Sequence, residues 1–488
     1  MKKLLEFIDA TTMYRLMLYA LLALGAVAII FGFAGLIPHT GYALMLSAAV
    51  LIAVCYGVNY ALAKIFKAPA TAESSVITAL IVFFIMTPAA SLEGGLMLAL
   101  AGAIAMASKY AVAYRGKHLF NPAVFAAVVI GFIQGGGGAA WWVSAPALLP
   151  FVLMGGVLVV KKVDRFAMFF ACAIAGIAVS LALGNTLGRL FAAWPVLFLA
   201  AYMLTEPQTT PPTKRLRIVY GVLVGFLASW PIGIGVIYMS PELALVIGNL
   251  FSYAAGLKRR ITLILQNKLQ LTHNTYEFIF KPDRPFAFRA GQYLEWSLPH
   301  TNQDLRGIRR FFTIASSPTE HDVRLGVRFT DNGSTFKKHL FKLQSEQFMT
   351  VAQLAGDFTL PQDANKKLVF IAGGIGITPY RSMLQYLMDT NDRRDIVLFY
   401  SCSSKEDFAY REFLKKAEEK LGIRVVFLAT STQGFLTEDI IQKHVPNAND
   451  RTYYLSGPKS MVDAYKRLLK KIGIPRRRIR TDYFPGYA

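Results

Sequence analysis

The feature that most constrains this chain is a change of texture near residue 258. From Tyr14 to Leu257 apolar residues run in successive blocks of roughly 16 to 24, about the length that crosses a bilayer core. Beyond Lys258 the pattern breaks into short β-rich runs and amphipathic helical stretches. This predicts a polytopic α-helical membrane domain over 1–257 and a soluble region large enough for two domains, 258–362 and 363–488. Ten spans are expected, near 14–37, 41–63, 76–91, 94–113, 121–134, 146–160, 166–184, 188–205, 216–233 and 237–256.

The net charge of +22 is distributed by loop. Lys2/Lys3, Lys64/Lys67, Arg115/Lys117, Lys161/Lys162/Arg165, Lys214/Arg215/Arg217 and Lys258/Arg259/Arg260 fall on one side of the expected spans. The intervening loops are almost free of Lys and Arg, with Arg189 the exception. Basic loops face the cytoplasm, so an even span number places both termini and the soluble region there. No aromatic–basic interleaving or groove-reading module accompanies the charge, so nucleic acid is not an expected partner. The apolar run near the N-terminus is too long for a signal peptide and reads as the first span.

Redox chemistry intrinsic to the chain is narrowed by what it lacks. Its three cysteines, Cys55, Cys172 and Cys402, are too few for an iron–sulfur cluster within the chain. The membrane half has two histidines, His39 and His118, on opposite sides, so a transmembrane haem is not expected, and no other metal is called for. Inside the spans ionisable groups are sparse: Lys109 and Arg189 near span ends, and Glu206 at the cytoplasmic end of the eighth. A carboxylate-lined ion path is therefore not expected. "GKHLFNPAVFAA" (Gly116 to Ala127) starts a span on Asn121-Pro122. That suits either a Pro-started helix with Lys117 and His118 at the headgroups or backbone groups opened around a buried site.

Three membrane stretches carry a resemblance: "SSVITAL", "GKHLFNPAV" and "MLTEPQTTPPTKRLRIVYGVLVG". Together they resemble the NqrB/RnfD family, flavin-carrying membrane subunits of bacterial sodium-pumping NADH:quinone oxidoreductase and Rnf complexes. The resemblance covers about residues 14–260 and implies a bacterial cytoplasmic (inner) membrane location. It also implies cofactor contacts at Lys117, His118 and Asn121, and partner electron-transfer subunits. One departure matters. The family esterifies FMN phosphate to a threonine ahead of its "T-D-P" motif, and the matching position here is Val196. Val196 has no hydroxyl, so no covalent FMN is expected there. A non-covalent second flavin or a quinone would take its place.

In the second half, "ITLILQNKLQL", "TYEFIFKP", "YLEWSLP", "FFTIASSP" and "VRLGVRFT" read as strands of a small antiparallel barrel. From Lys367 the strands "KLVFIAGG", "DIVLFYSC", "RVVFLAT" and "TYYLSGP" alternate with amphipathic helices, as in a doubly wound parallel sheet. "IAGGIGITP" follows a strand and opens a helix. Its Gly373, Gly374 and Gly376 would let the backbone approach a dinucleotide pyrophosphate at the helix N-terminus. With "AGQY", "RRFFTIASSP" and "DNGSTF" in the same order, this half is identified as a member of the ferredoxin–NADP reductase family.

That membership implies FAD and a nicotinamide dinucleotide, with roles for particular residues. Arg310 would pair with flavin phosphate, Phe312 would stack on the isoalloxazine and Thr313 would hydrogen-bond N5. Gly333, Ser334 and Thr335 would meet the pyrophosphate, and Thr378 would join the glycines at the dinucleotide. The family's Cys-Gly beside the nicotinamide is here Ser456-Gly457-Pro458, with Met461 in register. Asp482, and Phe484 or Tyr487, stand where the family places a carboxylate and an aromatic against the flavin, although each aromatic is equally suited to plain packing. Lys405, after Ser403 and Ser404, is either a point cation for a 2′-phosphate or a solvated lysine, so NADH and NADPH both stay open, with NADH preferred.

The two halves together predict a membrane-bound NAD(P)H dehydrogenase passing electrons through FAD into the membrane domain, to a quinone or a non-covalent flavin. The alternatives are transmembrane electron transfer to an extracytoplasmic acceptor and a redox-regulated flavin or cation transporter.

Overall fold

The computed structural model describes residues 11–66, 72–114, 117–135, 139–186, 195–234, 237–257, 259–304, 307–445 and 447–482. The chain divides into two compact units, Met1–Arg259 and Arg260–Ala488.

Each of the ten apolar blocks of the first unit carries helix: α1 (Met13–Phe33), α2 (Gly41–Ile65), α3 (Ala72–Ile85), α4 (Leu92–Ala111), α5 (Pro122–Ile133), α6 (Leu149–Lys162), α7 (Phe166–Ala182), α8 (Val196–Phe198, continued as a π-helical turn over Leu199–Met203), α9 (Lys214–Ser229) and α10 (Pro241–Ala255). The expectation of ten spans needs correction, because only α1, α2 and α4 are long and apolar enough to cross a membrane among the described residues. Helix breakers fix the start of two of the others: Asn121 and Pro122 start α5, and α10 begins only at Pro241.

Contacts gather the basic groups at one end of this unit. Arg15 of α1 pairs with Glu73 of α3 at 2.6 Å, and Lys109 at the end of α4 donates to Ser74 O and Oγ. Gln208, in the loop after α8, donates to Tyr14 Oη, and Arg165 donates to Thr210 Oγ1.

The second unit holds two sheets. The first contains β1 (Ile261–Thr272), β2 (Thr275–Pro282), β3 (Tyr293–Ser297), β4 (Arg309–Thr313), β5 (Val323–Arg328) and β6 (Phe348–Ala355), all antiparallel in the order β4-β3-β6-β1-β2-β5. Burial alternates along β1, with Ile261, Leu263 and Leu265 turned inward, as period-2 patterning requires. Trp296, Phe278 and Phe280 fill the interior. The end strands β4 and β5 share no ladder, so the expected barrel is open. It is drawn together past β4 where Ala315 N–H donates to Arg324 O. A helix, α11 (Thr335–Lys342), leads into β6.

The second sheet is parallel: β7 (Leu368–Gly373), β8 (Ile396–Cys402), β9 (Arg424–Ala429), β10 (Thr452–Ser456) and β11 (Ile479–Asp482), in the order β9-β8-β7-β10-β11. β7 and β8 are buried along their whole length, as central strands covered on both faces must be. α12 (Thr378–Thr390), α13 (Arg411–Leu421) and α14 (Lys459–Lys471) are among the helices that cover them. Successive strands are laid outward from β7 through β8 to β9, after which the chain returns to place β10 on the other side of β7. The carboxyl ends of β7 and β10 therefore flank the topological switch point, the place where such sheets bind ligands.

Candidate functional site

At that switch point two turns meet on bare backbone. The turn after β7 runs through Gly374–Ile377 into α12, and the turn after β10 is Gly457-Pro458. A Cβ on Gly376 would lie 2.4 Å from Ser456 O, and one on Gly373 would lie 2.2 Å from Met461 Sδ. Gly376 is therefore already required by turn-to-turn packing, whereas a Cβ on Gly373 would displace only the flexible Met461 side chain. Gly374 takes a left-handed φ of 53°, and Gly457 packs under Met461. Thr378 is buried at the start of α12 and donates to Ile375 O. Ser401, paired in register with Gly373, has a buried hydroxyl with no protein hydrogen-bond partner, so a ligand oxygen or nitrogen would satisfy it. On this geometry the turn fits a dinucleotide.

Across from the turn stands β4. Thr313, buried, donates to Asp482 Oδ2 at 3.5 Å, and Asp482 is in register with Ser456 of β10. The structure thus assembles Thr313, Ser456 and Asp482, three residues singled out from sequence. Burial raises the Asp482 carboxyl to about 7, opposed by the Thr313 hydrogen bond. Arg310 and Phe312 lie on the other face of β4 by strand alternation. There the Phe312 ring is 6.0 Å from that of Phe336 in α11, and the Arg310 guanidinium is 5.2 Å from the same Phe336 ring.

This face binds an anionic group, the Asp304 carboxylate, whose place a phosphate would have to take. Arg310 Nη2 lies 3.7 Å from Asp304 Oδ1, and Thr335 N–H, at the start of α11, donates to Asp304 Oδ2 at 3.0 Å. A guanidinium and a helix N-terminus thus converge on one anionic group, and the first turn of α11 holds no acid. Ser334 caps α11 by accepting from Lys337 N, and Thr335 Oγ1 accepts from Asp304 N. Gly333 has an ordinary φ; a Cβ there would approach Thr330 O at 3.0 Å.

Further residues here stand outside every sequence motif. Asp304 and Arg328 carry no motif. Arg328 Nη1 is 3.8 Å from where a Cβ on Gly374 would sit, and it lines a small, shallow hollow with Thr275, Tyr400 and Asp407. Ser404 N–H and Oγ are both engaged by Asp407 Oδ2, while Lys405 is exposed. Phe484 and Tyr487 lie outside the described residues.

In the first unit the two quoted loop motifs meet. Asn121 Nδ2 donates to Glu206 Oε2 at 2.9 Å, and Asn121 N–H donates to Asn249 Oδ1 at 2.9 Å. Asn249 in turn donates to the buried Tyr220 hydroxyl. Lys117–His118 forms a two-residue ladder with Ala113–Tyr114. Val196 is fully buried and opens the α-to-π segment. Among the described residues no group of three or more His, Cys, Asp or Glu is placed to hold a metal.

The oxidoreductase NAD-binding domain family matches residues 370–467, which include the glycine turn, β8, β9, β10 and most of α14. The C-terminal unit is a ferredoxin reductase-like FAD- and NAD-binding module. It is similar in sequence to NAD(P)H-dependent flavin oxidoreductases. The chain is 24% identical to Flavohemoprotein A of Dictyostelium discoideum over 235 residues, 45% of this chain and 59% of that protein. It is 30% identical to tetrachlorobenzoquinone reductase of Sphingobium chlorophenolicum over 216 residues, 43% of this chain and 63% of that one. Among solved structures, Amycolatopsis cytochrome P450 reductase GcoB is 25% identical, with 46% of this chain and 70% of that one covered and a TM-score of 0.42. The chain spans a little over half the length of the first curated relatives it matches, and each matched stretch is about as long as the C-terminal unit.

Proposed function

We propose that this chain is a membrane-bound NAD(P)H dehydrogenase that delivers electrons to an acceptor held in its N-terminal unit. The observation that carries the reading is the meeting of Thr313, Asp482 and Ser456 beside the glycine turns at the switch point. A nicotinamide on the turns and a flavin on β4 would share that one place. FAD, when bound, takes a hydride from NAD(P)H and releases electrons singly.

The chain's own residues do the rest. Arg310 and the start of α11, with Gly333, Ser334 and Thr335, hold the flavin's phosphates, and Phe312 covers its ring. Thr313 offers a hydroxyl at the reacting edge, and the Asp482 carboxyl, near neutrality, holds or yields a proton there. Gly373, Gly374, Gly376 and Thr378 seat the dinucleotide, with Ser456, Gly457 and Pro458 beside its nicotinamide. Phe484 or Tyr487 packs on the flavin. Arg328 and Ser401 add contacts the motifs do not announce. The domains are proposed as 1–257, 258–362 and 363–488.

For the N-terminal unit we propose an NqrB/RnfD-like role, in the cytoplasmic membrane of a bacterium with the reductase module inside. Two observations support it. Exposed apolar side chains such as Tyr19, Ile30, Tyr42, Leu96 and Ile174 make an outer surface suited to lipid. The "GKHLFNP" and "TEPQTTPP" stretches also join in one buried polar network through Asn121 and Glu206. An ionisable side chain such as Glu206 inside a membrane bundle marks a functional site by default. It is the proposed seat of a quinone headgroup or a non-covalent flavin, and Val196 carries no covalent FMN. The haem that flavohemoproteins carry in their name is not proposed for this chain.

The test uses the full chain in lipid nanodiscs with NADH. Glu206→Gln and Asn121→Ala should slow quinone reduction about tenfold or more while leaving ferricyanide reduction, which draws electrons from the flavin module, within about twofold. Equal loss with both acceptors, or loss with neither, would sink the acceptor site.

A further inference from the structure

Tyr410 is a non-glycine residue held in the left-handed region, at φ 59° and ψ 26°, just ahead of α13. An L side chain keeps such a backbone only where its surroundings over-determine it. Here the Tyr410 hydroxyl, buried, donates to Glu277 Oε1 at 2.9 Å. Glu277 lies on β2 with 3% of its surface exposed, and its other oxygen accepts from Arg324 Nη1 at 2.8 Å. Directly opposite Glu277 in the ladder is Gly326 of β5. A Cβ on Gly326 would lie 2.8 Å from the Tyr410 hydroxyl and 2.7 Å from Thr378 Cγ2. The bare backbone at 326 is therefore where the parallel-sheet layer rests on the antiparallel sheet. The two groups resting on it are the Tyr410 hydroxyl and the threonine that opens α12 after the glycine turn.

Several polar contacts cross this seam. Tyr410 meets Glu277, Arg381 of α12 meets Glu320 and the Ala315 carbonyl, Ser382 donates to Ser316 O, Arg328 meets Asp407, and Thr313 meets Asp482. The dinucleotide turn is anchored to one sheet and the flavin residues to the other, so the spacing between reactants depends on these crossings.

We propose that Tyr410 is a positioning residue for hydride transfer, its hydrogen bond to Glu277 across Gly326 setting the separation of the nicotinamide turn from the flavin strand. The inference rests on the NAD(P)H–flavin reading above. The step concerned moves one hydride from C4 of NAD(P)H to N5 of the flavin, leaving NAD(P)+ and, with a solvent proton, the two-electron-reduced flavin. Reacting atoms must stand roughly 3 to 3.5 Å apart, and a misplacement of about 1 Å costs on the order of a hundredfold in rate.

Tyr410→Phe removes the hydroxyl and keeps the ring; Gly326→Ala keeps the hydroxyl and wedges the seam. In the detergent-solubilised full chain, each should slow flavin bleaching at saturating NADH by about tenfold to a hundredfold, with KM unchanged in Tyr410→Phe. Amide exchange should quicken in β2 and β5 of both variants, with the thermal midpoint held within a few degrees. Bleaching of Tyr410→Phe at the wild-type rate would overturn the proposal. So would a rate loss matched by a rise in KM and a collapsed midpoint, since that marks a merely structural contact. If the wild-type chain itself is not bleached by NADH, the reading beneath the inference fails, and the inference goes with it.

Discussion

Thr313 and Asp482 stand 169 residues apart in sequence and meet at 3.5 Å. Burial lifts the folded Asp482 carboxyl from its ordinary 3.8 to about 7. Between those values the folded chain keeps a proton that the unfolded chain has lost. Stability therefore falls as pH rises from about 4 to about 7 and levels off above. Asp482→Asn removes the titration, so its thermal midpoint should lose that slope while the wild type keeps it; parallel curves would refute the assignment. The Arg310-x-Phe312-Thr313 pattern was legible because its residues are local. Its partner carboxylate was placed from the family pattern, yet the contact itself depends on β10 and β11 stacking in register, which no local pattern encodes. The left-handed Tyr410 was illegible for the same reason, since a tyrosine signals no such backbone and its partner Glu277 lies 133 residues away.

At the scale of elements, strand–turn–helix units were readable wherever a glycine turn follows a fully apolar run, as at β7. Helix lengths in the first unit were less so. Apolar content marks where helices lie, but Asn121-Pro122 and Pro241 decide where α5 and α10 begin. The glycines of the β7 turn also have separable duties. Gly376 is pressed against the Ser456 carbonyl, whereas Gly374 is open and needs only its positive φ. Gly376→Ala must push two backbones apart and should raise KM for NADH at least about tenfold with bound flavin retained. Gly374→Ala, strained by backbone conformation alone, should cost on the order of 1–2 kcal/mol in stability and change KM less. Steady-state kinetics beside flavin content per chain and denaturant melts would separate the two, and a Gly376→Ala variant with wild-type KM would show that the turns do not seat the dinucleotide.

For the whole molecule, the proposed orientation follows from charge. Arg15 and Lys109 are tied to the start of α3, and Arg165 is tied to the loop that also reaches Tyr14 at the start of α1, so the basic groups with described contacts share one end of the helical unit. In the proposed membrane reading, the end rich in Lys and Arg is the one that would be retained in the cytoplasm. Glu206 and Asn121 lie at that same end through the loop that carries Gln208 and Thr210. Donor and acceptor sites would then both be served from inside, with no carrier needed across the bilayer. NADH is charged and does not cross membranes unaided. Inverted vesicles carrying the chain should therefore oxidise added NADH at once, and right-side-out vesicles only after permeabilisation. The same vesicles, with an impermeant acceptor placed outside right-side-out membranes and NADH loaded within, should leave that acceptor oxidised. Its reduction would instead require a path through the helical unit to the far face, and would replace the internal acceptor at Asn121 and Glu206 with an external one.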